Sequence, residues 1–381
     1  MISSMKARPM PRCDSLYYYS TANLFFADRS RMDQLMASDQ MGLQLFRDTF
    51  TRWIENVCWH DRSLAITTPF RTVTMPGMQL PSYRNITASM EEICQTRATE
   101  LLLQAELTER QLLVMYSGGI DSTMMLVSLI KSATSQQLLR RVLVLMNNSS
   151  INENPSFYRD HLVSKCRIDH SQFFHSYIGD PRFIIVTGEC NDQLWGSQQL
   201  AASSHIFTDR PWDVAMQDEL VIRWFAERYS IRTAERIYSV LKQVSDACPF
   251  SLDSVYAWYW WIVFTCKWQQ SFLRGVAFAH PSQRDGFAPH DNWTAFYSTE
   301  PFQLWSMNHR HDIRDDKWLC KQIIYDYNGD SDYRDRKTKQ GSLGPLLRKK
   351  TSAAALDSDL GWHDSWNNDG WFNPDNSFSR A

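Results

Sequence analysis

The sharpest hydrophobic pattern in the chain begins at Gln111, where Leu112-Leu113-Val114-Met115-Tyr116 forms an unbroken apolar run that stops at Ser117-Gly118-Gly119. A run of that length, closed by turn residues, reads as a buried strand, and a parallel sheet covered on both faces is its natural setting. From Asp121 to Ile130 apolar residues follow an Asp and a Ser that suit a helix start. The alternation then repeats, with Val142 to Met146 as strand, Ser156 to Cys166 as helix and Phe183 to Thr187 as strand. Strands separated by helices imply right-handed βαβ crossovers, so the expected class is α/β with a doubly wound parallel sheet.

Outside this core the rhythm is less regular. Arg31 to Cys58 and Ser89 to Leu107 are helix-like, with a proline-bearing stretch from Thr68-Pro69 to Pro81 between them. Trp212 to Gly275 reads as mostly helical, and Asp315 to Tyr327 as a further helix. The most apolar segment, Val255 to Cys266, holds Trp258, Tyr259, Trp260 and Trp261. It is far shorter than the ~20 residues that span a bilayer, so a buried helix is expected. Gly329 to Pro345 is polar and loop-like, and the residues from Thr351 look like an irregular tail. The expected organisation is an N-terminal region of unassigned role (1–110), a nucleotide-site domain with a largely helical C-terminal part (111–350), and the tail (351–381).

Composition narrows the partners. A 43% hydrophobic content over 381 residues supports a core, and a net charge of −2 supplies no global basic field to draw nucleic acid or an anionic membrane. Nucleic acid is therefore not expected, though a local patch could still bind it, and no membrane is expected. The eight cysteines include no C-x-x-C pair and no zinc-finger spacing, which fits reduced thiols. The first residues lack the apolar core of a secretory signal, so the expected compartment is the cytoplasm. Aromatic residues make up 13%, which suits either a core or a stacking surface for a base or sugar.

Two motifs carry chemistry. Ser117-Gly118-Gly119-Ile120-Asp121-Ser122 joins strand to helix, so backbone N–H groups and the helix N-terminus face one spot above the strand's C-terminal edge. That spot suits a phosphate. Gly118 and Gly119 allow close approach, Ser117 and Ser122 offer hydroxyls, and Asp121 can hold a magnesium ion. The Gly-Lys-Ser/Thr ending of a Walker A loop is missing. The second motif, Gly188-Glu189-Cys190-Asn191-Asp192-Gln193-Leu194-Trp195-Gly196, follows the third expected strand and should lie at the same crevice. Asp192 could complete the metal site, and Glu189 could act as a base or orient a reactive carboxyl group.

The first motif resembles the Ser-Gly-Gly-x-Asp-Ser signature of the PP-loop ATP pyrophosphatase superfamily. The second is similar to the asparagine synthetase pattern Ser-Gly-Glu-Gly-x-Asp-Glu-Leu-Phe-Gly-Gly-Tyr, matching at Gly188, Glu189, Asp192, Leu194 and Gly196. It departs at Thr187, Cys190, Gln193 and Ser197. The resemblance, strongest over 112–197, implies an adenine nucleotide alpha hydrolase-like fold that binds ATP and Mg2+. Met115, Ser117, Gly118, Gly119, Asp121, Ser122, Met146 and Gly188 would hold the nucleotide, and Asp121 and Asp192 the metal.

It further implies cleavage between the α- and β-phosphates, as in the asparagine synthetases and β-lactam synthetases. A carboxylate becomes an acyl-adenylate, which ammonia or an amine then attacks, with Glu189 as base or orienter. A family lysine that stabilises the pyrophosphate corresponds to Lys339, or to Lys337, in Arg334 to Gly341; a solvated basic loop is the plainer reading of that charge run. The family's glutamine-dependent members start with a glutaminase domain whose cysteine follows the initiator methionine. Ile2 stands at that position, so nitrogen is expected from free ammonia, an amine substrate or a separate amidotransferase partner. Two alternatives stay open: a nucleobase or tRNA modification enzyme of the same superfamily, and a nucleotide-binding module without catalysis. A metal site at His309, His311 and Asp312, and a nucleophilic role for Cys190, are weaker candidates.

Overall fold

The structure, a computed structural model, describes residues 60–66, 74, 77–177, 180–196, 214–227, 230–272, 292–311 and 317–337. The chain divides into two compact units, Met1–Ser82 with Gly196–His290, and Tyr83–Trp195 with Asp291–Ala381. Among the described residues no helix is long and apolar enough to cross a membrane.

The second of these units is built on a five-stranded, all-parallel sheet, so the chain is α/β. The strands are β1 (Gln111–Met115), β2 (Val142–Met146), β3 (Arg167–His170), β4 (Phe183–Thr187) and β5 (Trp293–Ala295), in the order β3-β2-β1-β4-β5. β1 is central. Leu112 pairs with Val142 on one side and with Ile184 on the other, and Leu112, Leu113 and Val114 have no exposed surface. That two-sided burial is why the strand reads as continuous apolar sequence rather than as an alternation. The sheet winds outward in two directions from β1, and such a reversal opens a crevice at the strands' C-terminal ends.

The sheet has two strands more than the pattern of apolar runs predicts. β3 is only Arg-Ile-Asp-His, with Ile168 and His170 buried, and β5 is Trp-Thr-Ala, too short for any period to show. Both are fixed by pairing: Val144 with Ile168, and Ile185 with Trp293.

Helix α1 (Met90–Leu107) starts at a capping box in which the Ser89 side chain accepts from the Glu92 N–H and the Ser89 N–H donates to Glu92 Oε2 at 2.7 Å. It lays Ile93, Cys94, Leu101 and Leu102 inward and packs against β1 and against α2 (Ile120–Ser132). α2 buries every residue from Ser122 to Leu129, consistent with its place between α1 and the later helix α9 (Trp318–Asn328). Further elements around the sheet include α3 (Asn148–Glu153), α4 (Asn191–Leu194), α8 (Glu300–Asn308) and α10 (Ser331–Arg336). α10 corrects the reading of Gly329 to Pro345 as loop: Asp330 caps the Tyr333 N–H at 2.9 Å, and buried Tyr333 pins the helix, which the polar sequence alone conceals.

The other unit's described helices are α5 (Asp218–Ala226), α6 (Ile231–Asp246) and α7 (Val255–Ile262), the last continuing through a wider π-type turn at Val263–Lys267. Here the tryptophan cluster is core: Trp258, Trp260, Trp261, Phe264 and Trp268 are buried. Arg62 lies over the rings of Phe264 and Trp268, 5.2 and 4.7 Å from their centroids. Its guanidinium donates to the carbonyls of Phe264 (2.6 Å) and Met78 (3.0 Å), which satisfies a charge taken out of water. The described cysteines 94, 166, 190, 248, 266 and 320 are free thiols.

Candidate functional site

β1 ends at Met115 and β2 at Met146, both buried, and the turn after β1 delivers Ser117 to Ser122 at the C-terminal edge of the sheet. Gly118 takes φ +76°, and a Cβ there would sit 2.3 Å from the Ser150 carbonyl oxygen and 2.8 Å from Glu153 Cβ. Only glycine fits both constraints. The two serines knit the turn: the Ser117 N–H donates to Ser122 Oγ (3.2 Å), the Gly119 N–H to Ser117 Oγ (3.3 Å), and the Ser122 hydroxyl to the Gly119 carbonyl (3.1 Å). From behind, the Ser150 hydroxyl donates to the Tyr116 carbonyl (2.9 Å) and the Tyr333 hydroxyl to that of Gly118 (2.9 Å). The first-turn N–H groups of α2, from Ile120 to Ser122, have no acceptor within the helix, as at any helix start.

The second motif meets the first here. A Cβ on Gly188 would come within 3.3 Å of the Asp121 backbone and the Ser122 nitrogen, so this glycine lets the two turns close on each other. Cys190 adopts φ 73°, the left-handed conformation that glycine takes without cost, at the position where the asparagine synthetase pattern has glycine. The residue is buried, 1% exposed, which does not suit a nucleophile. Glu189 is half-buried, Asp192 is exposed and Gln193 is buried.

Four side chains converge. Asp121 Oδ1 accepts from Asn191 Nδ2 at 2.6 Å and from Lys317 Nζ at 2.7 Å, and Lys317 Nζ donates as well to Asp192 Oδ1. Asn191 is itself oriented by the Trp195 indole N–H, which donates to its Oδ1 at 3.0 Å. The Tyr297 hydroxyl holds the Asp121 carbonyl at 2.8 Å. Burial works against charge on Lys317, but the Asp121 and Asp192 carboxylates outweigh it and hold its ammonium protonated well above the usual lysine range. Burial pushes the Asp121 carboxyl up; Lys317 opposes that shift and the neighbouring Asp192 charge adds to it.

Lys337 lies beside the first motif's turn, on Glu153. Its Nζ lies 2.6 Å from Glu153 Oε1, with the two side chains 9% and 2% exposed, and Glu153 backs onto Gly119. Lys337 is thus paired with Glu153, while the cation at the Asp121–Asp192 pair is Lys317. Lys339 and Ser197 lie outside the described residues. His309 stacks on Trp305 with 4.5 Å between centroids, and Asp312 lies outside the described residues; no group of three or more candidate metal ligands occurs among the described ones.

Asp121 and Asp192 each present an oxygen to one point, which fits Mg2+, a cation that uses one or two carboxylates and completes its shell with water and phosphate oxygens. Lys317, Asn191, Tyr297, Tyr333 and Glu153 escape sequence reasoning. Asn191 alone stood inside a motif, at its variable position. Comparison with protein-family models, with curated proteins and with solved structures finds no match for this chain.

Proposed function

We propose that this chain is a PP-loop ATP pyrophosphatase of the asparagine synthetase-like kind, an adenylating ligase that forms AMP and pyrophosphate while joining a carboxylate to ammonia or an amine. The observation that carries the reading is the meeting of the two motifs: Asp121 and Asp192 aim at one point beside the N-terminus of α2, at the central strand of a sheet wound in two directions. The order β3-β2-β1-β4-β5 agrees with the doubly wound, nucleotide-binding fold that the resemblance implies.

In this reading the turn and the first N–H groups of α2 orient the phosphates. Bound Mg2+, held by Asp121 and Asp192, supplies charge neutralisation at the pyrophosphate. A carboxylate oxygen attacks the α-phosphorus, the bond from that phosphorus to the bridging oxygen breaks, and pyrophosphate leaves. Nitrogen then attacks the acyl carbon, AMP departs, and Glu189 orients the carboxyl group or takes the proton lost by nitrogen. Asn191 and Tyr297 keep Asp121 in place. Lys317 is the cation at the acid pair, and Lys339 stays a candidate for the pyrophosphate because it follows two residues after Lys337, which Glu153 anchors.

The test is product analysis with α-labelled ATP and Mg2+, supplied with pooled amino acids, nucleosides and ammonium. AMP with pyrophosphate is expected, and ADP with phosphate would overturn the proposal. Asp121→Ala should abolish pyrophosphate release, and Glu189→Gln should keep ATP binding while blocking turnover. A second reading, a nucleotide-binding module without turnover, is favoured by Lys317 lying where the metal is expected; ATP binding with no product under any supplied substrate would select it.

A further inference from the structure

The acid pair is already neutralised in part by the chain itself. Lys317 Nζ is within hydrogen-bond distance of both Asp121 Oδ1 and Asp192 Oδ1, and these are the oxygens a divalent cation would need. Asn191 keeps its own bond to the same Asp121 oxygen, so Asp121 stays aimed at the crevice whichever cation it faces. The lysine side chain is 14% exposed while Asp192 beside it is 57% exposed, so the ammonium lies under a rim open to water. Its backbone is at φ 55°, a left-handed conformation that a lysine holds only at a cost. A strained residue with a long side chain, held chiefly by charge, is suited to leaving when a stronger charge arrives.

We propose that Lys317 is a resident counter-ion of the site: it occupies the place between Asp121 and Asp192 in the nucleotide-free protein and is displaced when a divalent metal enters. Nζ sits at the point between the two oxygens where a divalent ion would be placed, and two positive charges there repel each other, so Lys317 competes with metal until phosphates bring further ligands. The device makes the free protein a poor metal binder and couples metal entry to nucleotide entry, since the two together supply what the metal alone does not. It rests on the nucleotide-and-metal reading of the same site.

The test uses Mn2+ alone as the probe, titrated calorimetrically into the full, nucleotide-free chain. Lys317→Met should bind Mn2+ at least tenfold more tightly than the wild type, Lys317→Arg should stay weak, and Asp192→Asn placed on Lys317→Met should cancel the gain. Equal or weaker binding by Lys317→Met overturns the proposal. Should that variant fail to fold, acetylation of Lys317 in the wild type gives the answer: labelling should rise with Mn2+, and unchanged labelling overturns the proposal equally. Binding of α,β-methylene-ATP with Mg2+ to the wild type tests the underlying reading separately. Absence of that binding, with the Mn2+ difference intact, defeats the nucleotide assignment and leaves the competition standing.

Discussion

Gly118 has no room for a β-carbon, because Ser150 and Glu153 close over it and its φ is +76°. Gly118→Ala should cost about 2–5 kcal/mol, from left-handed strain and a steric clash with backbone, read as a lowered denaturation midpoint. An unshifted midpoint would mean that the turn follows another path. Cys190 is the opposite case, a side chain held where glycine would be easier. Cys190→Gly relieves about 1–2 kcal/mol of strain but gives back about 0.5–1 kcal/mol in chain entropy, so stability should stay within about 1 kcal/mol of the wild type. Cys190→Val, β-branched at positive φ, should be clearly destabilised in the same assay. Equal stabilities for the two variants would remove the conformational explanation of that position.

Among the elements, α10 bears on the turn most directly although its sequence is polar. Tyr333 sends its hydroxyl to the Gly118 carbonyl and shares a contact of 3.2 Å with Thr123 Oγ1. Tyr333→Phe leaves a buried carbonyl without that donor, a loss of about 1–3 kcal/mol, and amide exchange should quicken from Gly119 to Ser122. Exchange unchanged in those amides would show that α10 does not hold the turn. β1, β2 and β4 were legible because they are buried on both faces and so form apolar runs. β3 and β5 were not, since their four and three residues owe their conformation to β2 and β4 rather than to any local pattern. The site divides in the same way. Its acids and glycines sit inside motifs, whereas Lys317 reaches Asp121 from 196 residues away and Tyr333 reaches Gly118 from 215, separations that leave no periodic trace.

For the whole molecule, acid is the expected weakness, because each unit encloses a neutral histidine. Burial, then the Arg62 charge, lowers the His60 pKa to about 3, and burial lowers that of His170 further still. Unfolded histidine binds its proton near 6.5, so the stability these residues confer is complete above that pH and is lost as pH falls toward the folded values. At pH 5 each should cost about 2 kcal/mol relative to neutral pH, and His170→Asn should flatten the fall in melting temperature between pH 7 and pH 5. A slope identical to the wild type would remove His170 from that account. The path of the chain through the sheet has a consequence for synthesis. β4 ends at Thr187 and its neighbour β5 begins at Trp293, with the whole Gly196–His290 stretch between them. A ribosome adding ~5–20 residues per second needs on the order of 5–20 s to bridge the roughly one hundred intervening residues. For that interval β4 waits with one edge bare, and Asp121 and Asp192 emerge before Lys317 has been made, so the nascent chain carries its two acids without that cation until Lys317 follows them.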